Sequence, residues 1–191
     1  MTSKYINADN IDISDGRSMF ITGQTGSGKS WLVHSIIDNL IAKYSTEEIK
    51  FVLFDLKRCE FLDFESRYLL FDVVQDVDFG IEKLKELVAI SRERLNKKVN
   101  QPKIFIYIEE YDIAFCHPKL FATYVKELIQ NEDKANIQII YSSSRQDGLP
   151  DNLGHSFERI LVGTTSYPIP LLGLKEPNNI DRYNFLELVV D

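Results

Sequence analysis

Short apolar runs alternate with amphipathic stretches along the chain. Ser18–Thr22 is an apolar run that stops at Gly23, and Phe51–Asp55 is a second run with an acid at its end. Leu69–Val74, Ile104–Ile108, Ile137–Tyr141 and Arg159–Gly163 have the length and the β-branched or aromatic content of buried strands. Between them the period changes. Leu32, Val33, Ile36, Ile37, Leu40 and Ile41 recur at helical spacing and predict a helix over Lys29–Lys43. Ile81, Leu84, Leu87, Val88 and Leu95 do the same over Val77–Lys97, with charges on the other face. Leu120, Phe121, Tyr124, Val125, Leu128 and Ile129 mark a third helix.

Strands alternating with helices imply βαβ units, hence an α/β fold with a mainly parallel sheet covered by helices on both faces. Arg159–Gly163 is expected to be the last core strand. Ligands of such sheets bind at the carboxyl ends of the strands. Polar groups collect at those ends here: Gly23, Asp55, Glu109 with Glu110, and Ser144.

The chain has 191 residues, which suits one domain with short extensions. A core over 16–165 is expected, flanked by an N-terminal extension over 1–15 and a C-terminal one over 166–191. Hydrophobic residues make up 44% of the chain, enough for a sizeable core. The net charge of −7 excludes a surface that is basic all over, but not a few basic groups in one loop or channel. Cys59 and Cys116 have no metal-like spacing and read as reduced thiols. The opening MTSKYINADN has neither an apolar core nor a basic leader, and no apolar run nears the ~20 residues that span a bilayer. A cytoplasmic location follows as an expectation.

The chemistry concentrates in Gly23-Gln24-Thr25-Gly26-Ser27-Gly28-Lys29-Ser30, a full G-x-x-x-x-G-K-[ST] match between a strand and a helix. Glycines let the backbone wrap phosphates with its N–H groups inward, and the helix N-terminus adds partial positive charge. Lys29 would reach the β- and γ-phosphates of ATP, and Ser30 would bind Mg²⁺. Trp31 follows directly; it is a candidate base-stacking residue, with packing on the sheet as the plainer reading. Ile104–Ile108 ends in Glu109-Glu110, the form of a Walker B site. Glu109 would hold the water shell of Mg²⁺ and Glu110 would polarise the attacking water. Ser144 could sense the γ-phosphate and Arg145 could contact phosphate or DNA; a plain serine-rich turn is the equal alternative. His34 reads as packing or surface. Arg92, Arg94, Lys97 and Lys98 share their helix with glutamates and read as a solvated face.

In order and wording these elements resemble the motor domain of the FtsK/SpoIIIE branch of the FtsK–HerA ATPases, over roughly residues 16 to 165. The family's loop typically reads G-x-T-G-S-G-K-S, as Gly23–Ser30 does. Its next strand ends in a D-P-K-x-x-E-like segment, matched by Asp55-Leu-Lys57-Arg-Cys-Glu60. Ser91–Lys98 resembles its arginine-containing helix end, Ile137–Arg145 its strand ending in A-T-Q-R, and Phe157–Val162 its last strand. The resemblance implies a RecA-like P-loop NTPase fold, ATP with Mg²⁺, double-stranded DNA in a central channel, and a homo-oligomer, usually a hexameric ring. It also implies a membrane or capsid-portal protein as recruiter for a minimal motor core. There are three departures. Glu109 replaces the Walker B aspartate, Ser144 replaces the sensor glutamine, and Asp133-Lys134 stands where a trans-acting arginine is placed. The finger or DNA contact is thus assigned among Lys134, Arg145 and Arg159. An ATP-driven DNA translocase for packaging, conjugative transfer or chromosome pumping is the first expectation. A slow nucleotide-dependent switch is the second, and a small-molecule kinase a weaker third.

Overall fold

The computed structural model describes residues 2–96, 101–109, 112–144, 153, 156–165 and 180–189. Among the described residues, twelve strands and α-helices follow one another. They are β1 (Thr2–Ile6), β2 (Met19–Thr22), α1 (Lys29–Lys43), β3 (Ile49–Phe54), α2 (Val77–Asn96) and β4 (Lys103–Glu109). Then come α3 (Asp112–Cys116), α4 (Pro118–Gln130), α5 (Glu132–Ala135), β5 (Ile137–Ser143), β6 (Arg159–Val162) and β7 (Phe185–Val189). The strands form one seven-stranded sheet in the order β1-β7-β6-β2-β5-β4-β3. From β6 to β3 all neighbours run parallel, while β7 pairs antiparallel with both β6 and β1.

Two apolar layers sandwich the sheet, and strand alternation assigns them. Val52, Phe54, Ile104, Ile106, Ile108 and Ile139 face the layer built by α2, α3, α4 and α5. Phe51, Leu53, Phe105, Tyr107 and Ile140 face the opposite layer, which α1 covers with Leu32, Val33, Ile36, Ile37 and Leu40. Both faces of the central strands are therefore dry, which is why they read as continuous apolar runs.

β5 lies between β2, which leads into the phosphate loop, and β4, which ends in Glu109. Register places Thr22 beside Ser143 and Glu109 beside Ser142. This order is that of a RecA-like P-loop NTPase. It brings the loop, Glu109 and the end of β5 together at the carboxyl end of the parallel strands.

The segments read as extensions each supply a strand to the same sheet. β1 closes one edge, and β7 fills the place between β1 and β6. Leu69–Val74, expected as a strand, is not one. It makes isolated bridges from Leu69 to Phe51 and from Val74 to Phe54. The Leu70 and Val74 N–H groups donate to Phe51 and Leu53, and Asp55 N–H donates to Val74. The segment bows out between these points with Asp72 exposed, so it covers the free edge of β3 without a regular ladder.

On the surface, Arg92 forms a two-pronged ion pair with Glu127 of α4, and Arg94 donates to the carbonyls of Ala135 and Asn136. The basic face of α2 thus ties helices together. Lys97 and Lys98 lie outside the described residues. Among the described residues no helix is long and apolar enough to cross a membrane.

Candidate active site

The phosphate loop takes its shape from backbone that side chains would block. Gly23 has φ 154°, and a Cβ there would meet the Ser27 hydroxyl at 2.8 Å and the Gly163 Cα at 3.2 Å. Gly28 caps α1 with φ 99°, in the left-handed region that favours glycine. Three backbone bonds fix the loop between β2 and β6. Gly163 N–H donates to Thr22, Gln24 N–H to Thr164, and Ser27 N–H to Gln24, at 2.7, 2.8 and 3.1 Å. Lys29 Nζ reaches back to the carbonyls of Gly23 and Gln24 at 2.8 and 3.2 Å. Its ammonium therefore stands over the loop, at the positive end of a 15-residue helix.

Glu109 ends β4 against this loop. It is buried, with 8% of its side chain exposed. Its Oε1 lies 3.5 Å from the Ser30 hydroxyl and 3.7 Å from Lys57 Nζ. A serine hydroxyl and a carboxylate held this close are hard oxygen donors converging on one point. They suit Mg²⁺, which takes one or two protein oxygens and completes its shell with water and phosphates. Among the described residues no group of three His, Cys, Asp or Glu side chains could hold a metal ion.

The segment after β3 supports the cleft from below. Asp55 is fully buried, and its carboxylate accepts the N–H groups of Cys59, Glu60 and Phe61 at 3.2, 2.9 and 3.1 Å. It is a loop brace, and Lys57 and Glu60 are what that loop presents. Glu60 bonds His34 of α1 at 3.0 Å, and the Phe61 ring lies 4.9 Å from the imidazole. Cys59 is a free thiol. Desolvation first, then the carboxylates of Asp55, Glu60 and Glu109, push it up from 9.0, so it stays protonated at neutral pH.

The phosphate loop, Lys57, Glu60 and Glu109 line an open cleft of about 300 Å³, whose remaining wall comes from far along the chain. Arg182 and Tyr183, just before β7, line it, and Tyr183 packs against Gly28 and Trp31. Sequence reasoning passed over both. Their signal was the strand-like Phe185–Val189 run, which requires the chain to return to the sheet. Trp31 is not packed on the sheet: it is 46% exposed, with its ring 4.9 Å from that of Tyr183.

Ser144 follows directly on β5, one residue past the Ser143–Thr22 pairing, and so lies at the cleft's edge of the sheet. Lys134 is exposed on α5, before the opposite end of β5, about 20 Å away by strand rise. It therefore stands away from its own chain's cleft. Arg159 is not available for either role. Its side chain is 2% exposed, and it is ion-paired with Glu187 and bonded to the Asp12 carbonyl. Glu110 and Arg145 lie outside the described residues.

The FtsK/SpoIIIE family model matches residues 5–105, from β1 through the phosphate loop into β4. The chain belongs to the FtsK/SpoIIIE family. It is a P-loop ATPase of that family. The DNA translocase FtsK of Leptospira interrogans is 25% identical over 161 residues, covering 71% of this chain and 17% of that protein. That of Caldanaerobacter subterraneus subsp. tengcongensis is 28% identical over 160 residues, covering 72% and 23%. The FtsK/SpoIIIE chain thus spans less than a quarter of the length of these curated relatives. Among solved structures, the cytoplasmic domain of the Thermomonospora curvata type VII secretion ATPase EccC has the same fold. It superposes with a TM-score of 0.76 at 13% identity, over 94% of this chain and 24% of that one. The genome packaging NTPase B204 of Sulfolobus turreted icosahedral virus 2, in complex with ATP-gammaS, gives 0.57 at 15% identity, over 93% and 94%.

Proposed function

We propose that this chain is an ATP-driven translocase of double-stranded DNA, acting as a ring of identical copies with Mg-ATP between neighbours. The observation that carries the reading is the meeting of Lys29, Ser30 and Glu109 at the carboxyl end of the parallel strands, in a chain whose family includes DNA translocases. Lys29 and the loop N–H groups would hold the β- and γ-phosphates, and Ser30 with Glu109 would hold Mg²⁺. Bound there, the cation would offset the charge that builds up on the transferring phosphoryl group. Glu110, next in sequence, is assigned to the attacking water.

A cytoplasmic hexamer recruited by a membrane or capsid-portal protein is the assembly this reading favours. It is supported by the likeness in fold to the viral genome packaging NTPase, at a TM-score of 0.57. Lys134 is the candidate trans-acting cation, because its distance from its own loop leaves it to a neighbour. A net charge of −7 is no obstacle, since a motor needs only a few phosphate contacts per copy and must release them.

ATP turnover with and without duplex DNA tests the reading. Stimulation by DNA, abolished in Lys29→Ala, is the expected result. Normal turnover indifferent to DNA would defeat it. A second reading, a slow nucleotide switch, draws on the closeness of Lys57 to a glutamate that stands where the family has aspartate. Under that reading, Glu109→Asp with Ser144→Gln raises turnover sharply; no gain would set it aside.

A further inference from the structure

Most large apolar side chains in the described residues are buried, so Trp31 and Tyr183, 46% and 37% exposed, stand out by where they sit. Both line the nucleotide cleft, with ring centroids 4.9 Å apart and planes at 54°. The rest of that cleft is polar. Lys29, Ser30, Lys57 and Glu109 occupy one part, and the two rings make an aromatic end. Trp31 follows directly on Ser30, so the aromatic end begins where the phosphate-binding part stops.

Tyr183 is held in place by several restraints. Its N–H donates to the Ser27 carbonyl at 3.2 Å, and Asn184 N–H closes a turn on Asp181 at 3.1 Å. Its ring lies over Gly28, where a Cβ would meet ring carbon Cδ1 at 2.5 Å. Its φ of 71° is unfavourable for a bulky residue and persists only where the surroundings fix it. Two residues on, Phe185 is fully buried and anchors the segment. The Arg182 guanidinium lies 4.7 Å from the Tyr183 ring centre, adding a cation to the same wall.

We propose that Trp31 and Tyr183 form the stacking shelf for the base of the bound nucleotide, and that this shelf favours purines. The proposal rests on the ATPase reading. The chemistry is that of two half-exposed aromatic rings, tilted to one another, beside a phosphate site. A base offers a π-face that stacks on them, purines more strongly than pyrimidines because their rings are larger. A Tyr183 that serves only to brace Gly28 would instead affect all phosphate ligands alike.

Trp31 is the chain's single tryptophan, so its fluorescence reports on this site alone. The test titrates the full chain with Mg-ATP, Mg-GTP, Mg-CTP and tripolyphosphate, following Trp31 emission and measuring affinities by calorimetry. The purine nucleotides are expected to change the emission and to bind more tightly than CTP, while tripolyphosphate binds with little spectral change. Tyr183→Leu, which keeps bulk but loses the ring, should weaken ATP by about fivefold or more, the scale of one lost base–aromatic stack. It should leave tripolyphosphate nearly unchanged, and Tyr183→Phe should recover ATP binding. Equal weakening of ATP and tripolyphosphate in Tyr183→Leu, or no weakening of ATP, overturns the shelf while the phosphate loop stands. An unaltered chain that binds neither ligand overturns both readings.

Discussion

Glu187→Gln should be among the most damaging single changes outside the active site, although it alters only a few atoms. Glu187 is 3% exposed and its partner Arg159 2%. They join β7 to β6, while Lys4 of β1 reaches the other Glu187 oxygen at 3.2 Å. Arg159 also binds the Asp12 carbonyl, and Asp15 stands 3.7 Å away. Breaking a buried pair by neutralising one partner strands the other charge and costs about 3–5 kcal/mol. Asp15 stays within reach of Arg159, so the lower end, about 3 kcal/mol, is expected. That is a large part of a total stability of about 5–15 kcal/mol. Urea unfolding followed by far-ultraviolet circular dichroism would read it as a fall in midpoint at constant slope. The double change Arg159→Met with Glu187→Leu removes both charges. It should recover most of the loss, leaving about 1 kcal/mol for the Asp12 carbonyl deprived of its donor. A single-variant cost under about 1 kcal/mol, or a double variant as unstable as the single, would refute this reasoning. The double variant also tests function: if Arg159 only holds strands together, ATP turnover survives its replacement.

Gly28→Ala should lose nucleotide binding and about 1–3 kcal/mol of stability, because φ 99° strains alanine and its Cβ would lie 2.5 Å from Tyr183; unchanged ATP affinity would contradict this. Burial raises Glu132 above its ordinary 4.5, while its Oε2 accepts the Ser18 N–H at 2.8 Å. The folded chain therefore holds this proton more tightly than the unfolded one. The linked stability is complete below 4.5 and is lost as pH rises through the folded value. Glu132→Gln keeps an acceptor for Ser18 and removes the charge, so the stability curve should flatten above 4.5 in denaturant titrations at stepped pH; an unaltered slope would count against it.

The central strands and three long helices were legible because burial on both faces writes continuous apolar runs, and burial on one face writes helical periodicity. The Lys29–Lys43 span came out to the residue, since Gly28 marks its start and Lys43 its last turn. Leu69–Val74 misled because apolar content does not reveal whether an edge segment pairs along its length; Asp72 is where the ladder fails. β1 was passed over because an edge strand mixes polar and apolar positions, and β7, an interior strand, because its buried position Glu187 carries a charge. That charge finds its partner 28 residues away, so neither Arg159 nor Glu187 could be read from its neighbours. The same limit applies at the site. Gly23–Ser30 is a contiguous motif, whereas Lys57, Arg182 and Tyr183 join it only through the sheet.

Movement along duplex DNA is the central claim, and displacement of a third strand tests it most directly. A fluorescent oligonucleotide is annealed as a triplex at one end of a long duplex, and its release is followed after adding the chain with Mg-ATP. Release that requires ATP hydrolysis, slows as the distance from the loading end grows, and vanishes in Lys29→Ala is the expected result. Active ATP turnover on that duplex with the third strand left in place would contradict translocation.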